Sequence, residues 1–256
     1  MQILLGFYFF ILGLIIGSFL NVVVLRLKNG LSIMNGRSKC PNCKHVLGVL
    51  DLVPLFSFLF IGGKCRYCKK KISWQYFLVE LTTAFIFTVV YVYFGLSFLT
   101  LFYLVISAFL IVIFIYDFKY YLILDKIIVP AIILAFLGNL FLEPALGRAW
   151  WELLIGGAIG GGLFLMQFMV SKGKWIGGGD IRLGLFMGLL LGWKLVLVAL
   201  FISYLLGSFV GMFLLLKKRK KMQDALPFGT FLTISTFIVL IYGQVILNWY
   251  LSFLYL

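Results

Sequence analysis

Two aspartates stand where long apolar runs end. Asp117 closes the run 98–116, and Asp180 ends the segment Trp175-Ile176-Gly177-Gly178-Gly179-Asp180, directly before an apolar stretch that continues to Leu216. A carboxylate at the mouth of a membrane segment is expensive to desolvate and by default marks a functional site. Two such acids at one membrane face can share a proton, which is the requirement for acid–base attack on a peptide bond. Gly177, Gly178 and Gly179 remove side-chain bulk beside Asp180, so another backbone could approach the carboxylate closely. Asp117 sits at the C-terminal end of its helix, where the dipole disfavours negative charge, so its placement needs a reason beyond local stability. No Ser–His pair competes for the chemistry, because the single histidine, His45, lies in a cysteine-rich loop.

The remaining acids divide. Asp51 and Asp224 lie in basic loops and balance charge; Glu143 and Glu152 flank apolar runs and read as interfacial. Asp125 follows Asp117 across a short loop and is placed to cap the next helix, its carboxylate accepting from free backbone N–H groups. Glu80 sits one turn inside an apolar run, in Val79-Glu80-Leu81. Two readings stay open for it: an ion pair or snorkelling to the interface, and a functional role facing the cysteine loop.

All four cysteines form two Cys-x-x-Cys pairs, Cys40/Cys43 and Cys65/Cys68. That spacing reads as a zinc ribbon, and a site with four thiolates is closed and structural. Free thiols or a redox pair are the bland alternatives. Lys39, Lys44, Lys64, Arg66 and Lys69 would offset the negative charge of four thiolates. His45 reads as a surface histidine rather than a ligand.

The elements that must hold these residues are membrane helices. The chain has 256 residues, 64% of them hydrophobic and 12% charged, which excludes a soluble globular domain. Of its 22 basic residues, ten lie in 26–75, two in 117–126, three in 172–183 and five in 217–226. Spans placed at 2–25, 76–94, 98–116, 127–142, 151–171, 183–193, 195–216 and 228–250 put all four basic loops on one side. That side is the cytoplasm by the positive-inside rule, with both termini outside. The net charge of +14 is therefore a topology signal rather than a nucleic-acid surface, and the partner it implies is the lipid bilayer. The expected fold is an all-α polytopic membrane protein of about eight transmembrane helices with a small zinc-stapled cytoplasmic loop domain. Its parts are a first transmembrane helix (1–25), a four-cysteine loop (26–75) and a helical core (76–256). The segment 183–193 is short for a crossing; the alternatives are a re-entrant segment or fusion with the next span as one kinked helix. The loop 26–75 is too small for its own core and needs a staple. The first apolar run lacks a basic stretch before it and does not read as a cleaved signal peptide.

With these residues in order, the sequence resembles the type IV prepilin peptidases, intramembrane aspartyl proteases of the GxGD type. The resemblance covers nearly the whole chain. It is carried by Gly17-Ser18-Phe19-Leu20-Asn21-Val22, the two Cys-x-x-Cys pairs, Ile72-Ser73 with Leu78-Val79-Glu80-Leu81-Thr82, Gly177-Gly178-Gly179-Asp180, and Pro227-Phe228-Gly229. Leu124 stands where the family usually has a proline before the equivalent of Asp125. The resemblance implies a bacterial cytoplasmic-membrane enzyme acting on type IV prepilins or pseudopilins, hence a place in pilus assembly, protein secretion or competence. It implies cleavage of a basic leader at the cytoplasmic face by Asp117 and Asp180, then N-methylation of the new terminus with S-adenosylmethionine. Glu80 and the cysteine loop are the candidates for that second step, while Asp125 and the glycines are supporting residues. Two rival readings remain at this stage: a non-catalytic scaffold for pilus assembly and a proton-coupled transporter.

Overall fold

A computed structural model describes residues 2–33, 36–146, 149–217 and 226–254. Among the described residues the regular structure is helical: α1 (Gln2–Lys28), α2 (Phe56–Phe60), α3 (Trp74–Phe94), α4 (Phe98–Tyr120), α5 (Asp125–Leu146), α6 (Trp150–Ser171), α7 (Gly178–Leu216) and α8 (Phe228–Leu254). All but α2 are long and apolar enough to cross a membrane. Most of the basic run 217–226, including Asp224, lies outside the described residues, as does Arg148. The chain divides into two compact units, Met1–Val112 and Ile113–Leu256.

In the first unit, α1 and α3 pack backbone to backbone. A Cβ on Gly13 would lie 2.5 Å from the Ala84 Cα, and one on Gly17 would lie 2.8 Å from the Glu80 Cα. Small residues one turn apart are the usual way for membrane helices to approach this closely. The side-chain amide of Asn21 then donates to the Tyr76 carbonyl (3.1 Å) and its oxygen accepts from Gln75 Nε2 (3.3 Å). Ser73 starts α3 as its N-cap, accepting from the Gln75 N–H.

In the second unit, α7 cannot run straight. At 1.5 Å per residue, its 39 residues would extend almost 60 Å, about twice the hydrocarbon thickness. It reverses at Gly192, whose φ of 76° and ψ of 172° break the helix and favour glycine. Contacts with α6 show the reversal. Gly156 meets the Gly188 carbonyl and the Trp193 nitrogen, while Gly160 meets the Gly184 carbonyl and Val196. Further along α6, Gln167 bonds Tyr204. The arm 178–191 therefore runs antiparallel to α6, and the arm 193–216 returns beside it. These two arms are what the spans 183–193 and 195–216 anticipated, with the first starting five residues earlier, at Gly178. Buried Asn139 of α5 steadies the turn by donating to the carbonyls of Leu189 (3.1 Å) and Leu190 (3.2 Å).

Candidate active site and metal centre

Asp117 lies in the last turn of α4 and is buried. The helix ends three residues later, at Tyr120; just beyond it the Tyr121 N–H closes on the Asp117 carbonyl (2.8 Å) and Tyr121 takes a left-handed φ of 56°. The unfavourable dipole of α4 is offset by a second helix. The N-terminus of α8 points at the carboxylate, and the Thr230 N–H donates to Asp117 Oδ2 at 2.8 Å. A helix N-terminus is a natural seat for an anion. Gly229 makes the approach possible, since a Cβ there would lie 2.9 Å from both Cγ and Oδ2 of Asp117.

Asp180 is half-buried in the first turn of α7, where its Oδ2 accepts the Gly177 N–H at 3.2 Å. It lies close enough to Asp117 for the two carboxylates to interact electrostatically, and Tyr204 is within the same reach. Tyr204 is held by Gln167 and packs against Phe228 (5.1 Å between ring centroids). Three helix ends thus converge on two acids: the C-terminus of α4 and the N-termini of α7 and α8.

Ile123 locks this arrangement. A Cβ on Gly179 would sit 2.9 Å from the Ile123 Cβ, and one on Gly229 would sit 3.1 Å from its Cδ1. Only Gly178 faces open space. The expectation that all three glycines clear room for an incoming backbone is therefore corrected: Gly179 makes room for Ile123. Gly179→Val is expected to lower the turnover of a cleavable peptide about 10- to 100-fold, since overpacking costs about 1–3 kcal/mol. Ile123→Gly, which removes the Cβ that a residue-179 side chain would meet, combined with Gly179→Ala should recover part of the loss seen in Gly179→Ala alone. Full turnover in Gly179→Val would mean that this contact sets nothing.

Asp125 begins α5, but its carboxylate pairs with Arg182, two residues after Asp180, where a backbone cap was expected. Both partners are partly exposed, and the pair links the loop 121–124 to the first turn of α7. Glu80 resolves towards the loop. It is 7% exposed, its Oε2 accepts the Leu55 N–H at 2.8 Å, and the Ser18 hydroxyl reaches the same carboxylate. No lysine pairs with it among the described residues. Leu55 holds a φ of 58°, so Glu80 fixes a strained corner of the loop ahead of α2.

The four cysteine sulfurs lie within 4.8 Å of one another, and none is in a disulfide. Two like-built knuckles bring them together. Lys39 bridges Val46 and Lys64 bridges Lys71. The Cys40 N–H donates to the His45 carbonyl and the Cys65 N–H to the Lys70 carbonyl. Lys44 and Lys69 occupy the left-handed region at φ 60° and 59°. Burial pushes the Cys40 thiol up, but the N–H groups of Cys43 and Asn42 outweigh it and hold the thiol near 7. The His45 N–H pulls Cys43 down, yet burial and the sulfurs of Cys40, Cys68 and Cys65 push it up to about 11. Four sulfurs at this spacing could hold a metal ion, whose charge would relieve that crowding. Asp51 braces the centre through Arg66 (3.3 Å), Tyr67 (3.2 Å) and the Gly48 N–H (3.1 Å). His45 is outside the cysteine cluster and lies on the Tyr67 ring, 3.6 Å between centroids.

Comparison with known proteins follows the same division. Residues 11–94 match the bacterial peptidase A24 N-terminal domain, and residues 104–212 match the type IV leader peptidase family. The prepilin leader peptidase/N-methyltransferase of Bacillus subtilis is 35% identical, across 95% of this chain and 96% of its own. Its namesakes in Aeromonas hydrophila and Pseudomonas aeruginosa are 33% and 30% identical, each across 95% of this chain and 92% of theirs. No solved structure gives a significant match. With relatives this similar along nearly its full length, the chain belongs to the type IV leader peptidase family.

Proposed function

We propose that this protein cleaves the leader from type IV prepilins or pseudopilins at the cytoplasmic membrane face and then N-methylates the exposed terminus. The observation that carries the peptidase reading is the meeting of Asp117 and Asp180 at three converging helix ends. A shared proton gives one acid to polarise the scissile carbonyl and one carboxylate to take a proton from the attacking water. The Thr230 N–H holds Asp117 in place through the cycle, and Ile123 fixes the spacing of the two acids. A transporter would place its acids along a path through the membrane; here both lie at helix ends.

Cys40, Cys43, Cys65 and Cys68 hold a structural zinc ion, which ties the loop 26–75 together. S-adenosylmethionine supplies an electrophilic methyl group when bound. Glu80 of α3 anchors the corner of that loop at Leu55, ahead of α2. The clustering of basic residues supports a cytoplasmic side for the metal loop and both aspartates.

The test is incubation of the purified full-length protein with a prepilin-like peptide, followed by mass spectrometry. Two fragments summing to the peptide plus one water are expected, and with S-adenosylmethionine the mature fragment gains one methyl group. An unchanged peptide would leave a scaffold as the better reading. Reagents applied outside intact cells are expected not to label cysteines placed at positions 119 and 182; labelling of either would put the aspartates on opposite faces.

A further inference from the structure

The cysteine loop carries a run of exposed apolar side chains. Val49, Leu50, Phe56, Leu59 and Phe60 are each more than half exposed, and a contiguous patch of this kind marks an interaction surface. Helix α2, only five residues long, is too short to stand alone in water. One of its faces is anchored: Phe58 is buried against Trp74 (5.1 Å between ring centroids) and Phe77 (5.6 Å) of α3. Phe56, Leu59 and Phe60 are turned outward.

Two sets of contacts fix the depth of this segment. Trp74 begins α3, and Glu80, which accepts the Leu55 N–H, lies six residues further in, about 9 Å along the axis. On the other side, Leu52 and Pro54 share a cleft with Ser18 and Val22, and Val22 lies six residues short of the end of α1 at Lys28. The segment 52–60 therefore runs beside the last turns of two membrane spans. Trp74 and Leu78, on those same turns of α3, are exposed in the same way. The backbone suits such a place, because away from water each N–H needs a partner within the protein. The N–H groups of Ser57, Leu59, Ile61 and Gly63 donate to the carbonyls of Val53, Leu55, Ser57 and Phe58, and Glu80 takes the N–H at the Leu55 corner. Charge points the same way. Exposed Lys44 precedes the segment, and exposed Lys64, Lys69, Lys70 and Lys71 follow it. Lysines flanking an apolar stretch attract anionic headgroups and repel a basic peptide.

We propose that the segment 49–60 is a membrane-interface anchor, with Phe56, Leu59 and Phe60 in the acyl boundary of the bilayer beside α3 and the flanking lysines among anionic phospholipid headgroups. The occupant of the patch is lipid. Glu80 then replaces the water that would otherwise solvate the Leu55 N–H. The anchor gives the four-cysteine loop a fixed height on the membrane surface.

The test uses the full-length protein in vesicles of phosphatidylethanolamine and phosphatidylglycerol. Photoreactive p-benzoylphenylalanine replaces Leu59, Phe60 or, as the control within a span, Val92, an exposed residue of α3; melting temperature checks that each chain folds. After irradiation, mass spectrometry should find phospholipid adducts at positions 59 and 60, in a yield within about threefold of that at position 92, as for side chains in one acyl layer. Those adducts should be enriched in phosphatidylglycerol about twofold or more over its share of the vesicle. Should one of the two chains misfold, the other decides. A lower yield at either position overturns the anchor. So does a product joined to a second copy of the chain, or to an added prepilin-like peptide, in place of lipid. Adducts without enrichment overturn the pairing of the lysines with anionic headgroups.

Discussion

Asp117→Asn and Asp180→Asn are each expected to lower prepilin cleavage by about 10²- to 10⁴-fold, the usual contribution of a positioned acid or base, while the chain still folds. Asparagine keeps an oxygen that can accept the Thr230 N–H at position 117 and the Gly177 N–H at position 180. The helix ends therefore stay satisfied, and the loss is one of proton transfer. Initial rates on a prepilin-like peptide, with melting temperature as the control, separate chemistry from folding. Either variant cleaving at the parent rate would remove the paired-acid mechanism.

The second large effect concerns the cysteines. Purified protein is expected to contain one zinc per chain, and Cys40→Ser or Cys65→Ser should reduce it below about a tenth. These are the two buried sulfurs of the set, and a structural zinc site contributes about 10–16 kcal/mol to small domains. Without it the loop 26–75 should become open to limited proteolysis. Cleavage by the aspartates should fall less than metal content, because both acids belong to the other compact unit. Metal-free protein whose four thiols react readily in the folded state would contradict this.

The parts of this molecule that could be read from sequence are those whose signal is local. Asp117 and Asp180 stand out because a carboxylate beside a long apolar run has no cheap explanation. The cysteine pairs stand out because a knuckle needs only four consecutive residues. The membrane helices announce themselves by composition. What stayed hidden depends on residues far apart in the chain. Nothing in the sequence marks Ile123, an apolar residue among apolar residues, as the wedge under Gly179 and Gly229. Thr230 looks like any residue near a helix start until the packing of α8 aims its N–H at Asp117. Asp125 has the right type and position for a cap, yet Arg182 offers a charge that a backbone N–H cannot match. Glu80 left two readings open because its partner, the Leu55 N–H, lies 25 positions away.

The reversal at Gly192 makes the chain between Asp180 and that turn a measuring rod. One end is fixed by the turn that Asn139 clamps, and the other delivers a carboxylate to a partner on a different helix. Adding one residue within the rod would swing the carboxylate by about 100° and carry it about 1.5 Å along the axis, out of step with Asp117. The same addition beyond the turn, near the solvent end of the returning arm, would leave the rod's length intact. Spacing on one side of Gly192 is thus held by chemistry, while spacing on the other answers only to the membrane.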